Sequence, residues 1–348
     1  MTLARKHLAA GLDILMAAGF CAALFVWAAW PWLPVAHADR PPRTIVFYGF
    51  SILGEAMNDA VFPAFEKRWR AEGHEPVEVV ASFAGSGTVT NQIILGVPAE
   101  LALLSLESDA ERLAGAGVIP AGSWRHLPHA GVVNRTPFVI LVRPGNPKKI
   151  LDFTDLTRTG VRVVHPDPLT SGGANWAILA EYGAGARRAG GSPEDGERLL
   201  AGIWKNVVAQ ASSARAARTQ FDNGFGDALI TYEQEPLADL KRGRLHAEIV
   251  YPKSTVLSEH TLVVLDRNVT PAERPAVEAL AQFLWSEEAQ RLFVAWGFRS
   301  IEESWNHNPT FGRIEDPFLV ADFGGWKRVR REIVDGIWKS RVLKAIQP

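Results

Sequence analysis

The stretch Pro168-Leu169-Thr170-Ser171-Gly172-Gly173-Ala174-Asn175-Trp176-Ala177-Ile178-Leu179 has the form of a helix N-terminus stripped of its side chains. Two prolines, Pro166 and Pro168, close the segment before it, and Thr170 and Ser171 are both competent N-caps. Two glycines then precede the apolar positions Trp176, Ile178 and Leu179. Without Cβ atoms, the backbone lets a ligand approach the first free N–H groups, and the positive end of the helix dipole favours an anion there. One such start is also what an ordinary capped helix with a flexible entry would give. Here it recurs. Gly85-Ser86-Gly87-Thr88 precedes Val89, Ile93 and Ile94, and Ser212-Ser213-Ala214-Arg215 opens a further segment that ends near Gly224. Three small-residue helix starts in one chain strengthen the reading as an anion site.

Outward from these starts the chain alternates short apolar runs with amphipathic stretches. Thr44 to Tyr48, Val77 to Ser82, Leu101 to Leu104, Thr136 to Val142 and Val161 to Val164 read as strands, as does the run from Gly226 through Tyr232. Met57, Val61, Phe65 and Trp69 fall on one helix face, with Pro63 expected to kink that helix or mark its first turn. Gly183 to Gly191 reads as a flexible surface connection, and its Gly-x-Gly follows no strand, so it is not a dinucleotide fingerprint. The region after Thr261 to Leu265 is mostly helical, ending in a basic amphipathic helix behind Phe323-Gly324-Gly325-Trp326. Strand and helix in alternation predict a parallel α/β sheet.

The chain has 348 residues, 37 of them basic and 38 acidic, so a net charge of -1 argues against nucleic acid and against an anionic membrane surface as partners. Any anion site must therefore be local. Arg5 and Lys6 precede an uncharged apolar stretch from Ile14 to Ala36 that ends in Ala36-His37-Ala38, which reads as a cleavable export signal over 1–38. The stretch is also long enough to remain as an N-terminal membrane anchor. Either way the bulk of the chain lies outside the cytoplasm. Cys21, the only cysteine, falls inside this segment and follows Phe20, a poor context for lipid attachment. The exported part has no disulfide and no thiolate chemistry.

Tyr48, Gly85-Ser86-Gly87, Ser171-Gly172-Gly173-Ala174-x-Trp176, Ser213-Ala214-Arg215, Gly226-Asp227 and Phe323-Gly324-Gly325-Trp326, in this order, resemble the periplasmic sulfate- and thiosulfate-binding proteins of ABC importers. Arg143-x-Gly145-Asn146-Pro147-Lys148 also looks like that family. The resemblance implies an α/β type II periplasmic binding fold: two lobes joined by two chain crossings and closing on a dehydrated oxyanion. It places lobe one at 43–134 plus 262–348 and lobe two at 135–261. It further implies a monomer, no cofactor, no metal, no catalysis, and an ABC permease as partner. Carried over by position, the ligand-binding residues are Ser86, Ser171, Gly172, Gly173 and Ala214, with Tyr232 and Tyr48 beside them.

The chain departs from the family pattern at several of these places. Tyr232 stands where the family usually has tryptophan, and a phenol both donates and accepts whereas an indole only donates. A donor-only site rejects a protonated oxyanion, and Tyr232 relaxes that rule. Tyr48-Gly49-Phe50-Ser51-Ile52 replaces the family's Tyr-Asp-Pro-Thr-Arg, and Phe83-Ala84 stands where His-Gly is usual. These changes make one side of the cleft more apolar, so a different or larger oxyanion stays open as the ligand. Enzymes form a rival class, but the chain has no Gly-x-Ser-x-Gly elbow, no His-Glu-x-x-His and no Walker loop. His126 and His129 flank Pro128 without an evident third ligand, and His165 and Asp167 beside Pro166 read as turn residues.

Overall fold

Strand β1 (Arg43–Phe50) alternates core and partly exposed positions and ends on the buried Phe50, Ile52 and Leu53, which turn the chain into a helix over 54–71, α1. The computed structural model describes residues 19–20, 24–26, 43–307 and 309–346. Nearly all of the expected signal or anchor over 1–38, Cys21 included, lies outside them. Among the described residues no helix is long and apolar enough to cross a membrane. Pro63 sits in α1 without breaking it. The turn before it, Met57–Val61, is wound wide, with Phe62 N–H donating to Met57 C=O, and Pro63 takes the first turn of the regular stretch that follows. There its missing N–H costs nothing.

The chain continues through β2 (Val77–Ala84), α2 (Ser86–Ile94), β3 (Leu101–Leu104), α3 (Glu107–Gly115) and the long strand β4 (Val132–Val142). Next come β5 (Val163–Pro166), α4 (Gly172–Arg187), α5 (Pro193–Trp204), β6 (Val207–Ala211), α6 (Ala214–Asp222), β7 (Ala228–Tyr232) and α7 (Gln234–Lys241). Two strands, β8 (Glu248–Val250) and β9 (Ser254–Val264), lead to α8 (Arg274–Phe283), α9 (Glu287–Ala295), β10 (Arg299–Ser300) and β11 (Asp316–Phe318). A final helix over 326–346, α10, closes the chain.

The strand order β2-β1-β3-β9-β4-β7-β5-β6 contains two sheets that share the long strand β4. The first part of β4, from Val132 to Pro137, pairs antiparallel with β9, whereas Phe138 to Val142 pairs with β7 and β8. Likewise β9 meets β11 at its start, β4 in its middle and β3 at its end. β1 and β3 run parallel in one sheet, and β5 runs parallel to β6 and β7 in the other. Thus β4 passes from one sheet into the other, while β9 extends from the first sheet to a short parallel pair with β11.

Two expectations are corrected. Gly183 to Arg187 is not a loop but the last turns of α4, a helix buried on every side from Gly172 to Gly183. The glycines are there for contact: a methyl on Gly183 would lie 2.3 Å from the Phe318 ring, and one on Gly185 2.7 Å from the Asp195 carbonyl of α5. His165 and Pro166 are not turn residues either; they end β5. His165 is fully buried, with Nε2 3.2 Å from Glu181 on α4, whose other oxygen accepts from Trp204 Nε1 at 3.0 Å. α10 packs on this same side, with Trp326 edge-on to Trp176 and Trp338 edge-on to Trp204.

Where the two sheets join, His260 of β9 lies opposite Asn134 of β4. Its Nδ1 is 2.6 Å from the Asn134 side-chain amide and its Nε2 3.1 Å from Ser258 Oγ, with the Phe50 ring 4.4 Å away. Burial pushes this imidazole down from 6.5 to about 3. Below the ordinary value the unfolded chain takes up a proton that the native state refuses, so this residue withdraws stability as pH falls through that window and withdraws none above it. His260→Gln is expected to flatten the fall in melting temperature between about pH 7 and pH 4 relative to wild type. Parallel thermal melts of the two proteins check it, and curves of equal slope would refute it.

Candidate functional site

All three glycine- or serine-rich helix starts sit at carboxyl ends of strands: α2 after β2, α4 after β5 and α6 after β6. That edge is where open α/β sheets place their ligands. Neither α2 nor α4 is capped by a side chain of its N-cap residue, Gly85 or Ser171, whereas Ser213 caps α6 by accepting from Ala216 N–H. The first N–H groups of a helix have no partner inside it, so α2 and α4 keep theirs for something else.

The helix starts converge. A methyl built on Gly85 would lie 2.5 Å from the Thr170 carbonyl and 2.6 Å from the Ser212 carbonyl, so only glycine lets the three turns meet. Thr170 Oγ1 then donates to Ser212 C=O at 2.9 Å. Asn175 Nδ2 donates to the carbonyls of Pro168 and Ser171, and Arg330 of α10 donates to Asn175 Oδ1 at 3.0 Å. The turn before α4 is thereby held from behind by the C-terminal helix.

At the centre lies a residue the sequence reading passed over, Ser105, fully buried just beyond β3. Its N–H donates to Ser86 Oγ at 3.0 Å and its carbonyl accepts from Trp176 Nε1 at 2.7 Å. Its own Oγ is 2.8 Å from Tyr232 OH. A methyl on Gly172 would lie 2.7 Å from Ser105 Oγ, and one on Gly173 2.9 Å from the Tyr232 ring. The bare start of α4 therefore faces two hydroxyls. Ser105 was legible only as a polar residue closing an apolar strand run, a weak but real signal in an α/β sheet.

Of the seven positions expected to bind a ligand, the structure brings Ser86, Gly172, Gly173 and Tyr232 around Ser105, with Ser171 and Ala214 buried in the adjoining turns. Tyr48 packs elsewhere, against the apolar cluster of Val89, Ile93, Ala102 and Leu104. Ser86 Oγ donates to Asp109 Oδ2 at 2.6 Å, so its hydroxyl proton is committed inside the protein. Burial raises the Asp109 carboxyl, opposed by this bond and by Arg112. Tyr232 is walled by Phe138 and Phe50, and burial pushes its phenol well above the ordinary value, so it keeps its proton. The departures at Gly49 and Phe83 are one packing event: a methyl on Gly49 would lie 2.7 Å from the Phe83 ring. His126 and His129 are exposed on short turns. Among the described residues no group of three His, Cys, Asp or Glu is placed to hold a metal.

Charge gathers at the rim instead. Glu55 of α1 pairs with Arg242 at 2.5 Å and with Arg215 and Arg244 at 3.6 Å each, while Asp59 pairs with Arg242 at 2.6 Å. Arg215, the second residue of α6, also meets the buried Glu235 at 3.1 Å.

Residues 47–299 match the family of bacterial extracellular solute-binding proteins. Over 307 residues the chain is 33% identical to the sulfate-binding protein of Synechococcus elongatus, an alignment that covers 87% of each chain. It is 31% identical over 314 residues to the thiosulfate-binding protein of Pseudomonas aeruginosa, covering 86% of this chain and 91% of that one. The solved sulfate-binding protein SubI of Mycobacterium tuberculosis superposes with a TM-score of 0.76 at 30% identity, over 83% of this chain and 99% of that one.

Trp176→Phe removes the donor to the buried Ser105 carbonyl and leaves that oxygen unpaired, which costs about 1–3 kcal/mol. Urea unfolding is expected to show the loss as a lower midpoint at unchanged slope. A midpoint equal to that of wild type would mean the indole bond holds nothing in place.

Proposed function

The chain is a bacterial extracellular solute-binding protein of the sulfate- and thiosulfate-binding group, and from that premise we propose that it captures sulfate or thiosulfate between its lobes for delivery to an ABC importer. Its fold is the two-lobed α/β fold of periplasmic binding proteins. We take lobe one as 43–134 with 262–325, and lobe two as 135–261 with 326–346. The terminal helix is moved to lobe two because Trp326, Arg330 and Trp338 pack on residues of α4 and α5. The binding part acts outside the cytoplasm as a monomer, and the closed form is what the permease receives. It binds without turnover. Of Ser86 and Ser171, the two serines a hydrolase could call on, Ser86 donates to a carboxyl rather than to an imidazole.

The observation that carries this reading is the meeting of the starts of α2, α4 and α6, with Ser105 set against those of α2 and α4, whose termini are uncapped. In this reading the donors are the backbone N–H groups of Ser86, Gly172, Gly173 and Ala214, with the hydroxyls of Ser171 and Tyr232. Tyr48 stands outside that set. A charge-assisted hydrogen bond contributes about 1.5–3 kcal/mol, and a micromolar complex needs about 8 kcal/mol. Such a donor set suffices even after the costs of immobilising the anion and closing the lobes.

Calorimetric titration of residues 39–348 with sulfate and with thiosulfate is expected to give saturable binding at about micromolar concentration. Ser171→Ala is expected to weaken it roughly tenfold or more by removing one charge-assisted bond. Gly172→Asp should abolish it, since a carboxylate would stand against the anion. Undiminished affinity in both variants would move the site away from the start of α4.

A further inference from the structure

Ser105 has one adjustable group. Its N–H is bound to Ser86 Oγ and its carbonyl to Trp176 Nε1, so the residue is fixed while its hydroxyl still rotates. That hydroxyl meets Tyr232 OH at 2.8 Å, and either oxygen can be the donor. Around Tyr232 the Phe138, Phe50 and His260 rings form the remaining wall, at centroid distances of 4.5, 6.0 and 5.8 Å. Both oxygens overhang the start of α4: a methyl on Gly172 would lie 2.7 Å from Ser105 Oγ and one on Gly173 3.1 Å from Tyr232 OH.

Two hydroxyls bring two protons, and their mutual bond uses one. Whichever way the bond runs, one proton and at least one lone pair are left to face the helix terminus. Reversing the bond exchanges which oxygen carries which. A site made of N–H donors has no lone pair to offer, so the proton of a protonated oxyanion would be buried there without an acceptor, at a cost of about 1–3 kcal/mol. We infer that the Ser105–Tyr232 hydroxyl pair is a reversible donor and acceptor through which this pocket also binds a tetrahedral oxyanion that carries a proton, hydrogen phosphate being the simplest. The inference rests on the oxyanion reading above and narrows it to ligand class. Tyr232 alone does not suffice: when it accepts from a ligand its own proton needs an acceptor, and Ser105 supplies one.

The test is titration of residues 39–348 with sulfate and with phosphate, above the second ionisation of phosphate, where both are dianions and only phosphate carries a proton. Wild type is expected to bind the two with affinities within about tenfold of each other. Ser105→Ala and, separately, Tyr232→Phe are each expected to raise the ratio of sulfate to phosphate affinity about tenfold or more. The double variant, lacking both hydroxyls, should retain sulfate more strongly than phosphate by a still larger ratio. Sulfate binding in wild type with phosphate excluded would overturn the inference and leave the oxyanion reading intact. Equal losses for both anions in Ser105→Ala would overturn it too, reducing the pair to a structural contact. Binding of neither anion by wild type would remove the oxyanion reading and this inference with it.

Discussion

The hydrogen bond from Trp176 Nε1 to the Ser105 carbonyl is the tie on which the rest of the arrangement depends. Trp176 lies on the helix that follows β5, and Ser105 ends the strand that runs parallel to β1. One bond therefore joins structure from both sheets in a place with no water to compete for it. Low local polarity strengthens the bond and makes its loss costly, and it fixes the depth at which the bare start of α4 faces Ser86 and Tyr232. Trp326 packs edge-on against the far side of the same indole, and Arg330 holds Asn175 one residue away. The C-terminal Phe-Gly-Gly-Trp segment is thus a wedge behind the helix. Its glycines, at φ of 82° and 83°, turn the chain sharply enough to put Trp326 there.

What the sequence made legible was local chemistry. Helix starts built from Ser and Gly, strands built from short apolar runs, and the proline at 63 all act over a few residues, and they lie close to where they were expected. The errors came where distant chain decides. Gly183 and Gly185 look like a loop in isolation, yet Phe318 and α5 leave room only for glycine within a helix. His165 looks like a turn residue beside Pro166 until Glu181, sixteen positions later, meets it in the core. Gly49 and Phe83 read as two separate losses, but one makes room for the other.

The centre of the candidate site shows the same limit. Ser86, Gly172 and Gly173 were visible as members of motifs, because the physical demand on them, a helix start without Cβ atoms, is written in adjacent residues. Ser105 belongs to no such pattern. Its significance comes from Trp176 and Tyr232, which lie far along the chain and reach it only once both sheets are formed. Tyr48 is the opposite case: it belongs to a motif, and the structure sets it against an apolar cluster away from Ser105.

The ring of charge at Glu55 bears on kinetics. Arg215 of α6 gathers with Arg242 and Arg244, and Glu55, Asp59, Glu235 and Asp239 face these three cations. Their fields are largely cancelled at a distance, so an arriving dianion is not drawn in by a long-range positive potential, and its encounter rate should respond little to ionic strength. In the lobe division proposed above, Glu55 and its guanidinium partners lie on opposite sides, so parting the lobes separates them, which added salt makes easier. On that proposal ionic strength governs how long a captured anion stays and has little hold on how fast it arrives.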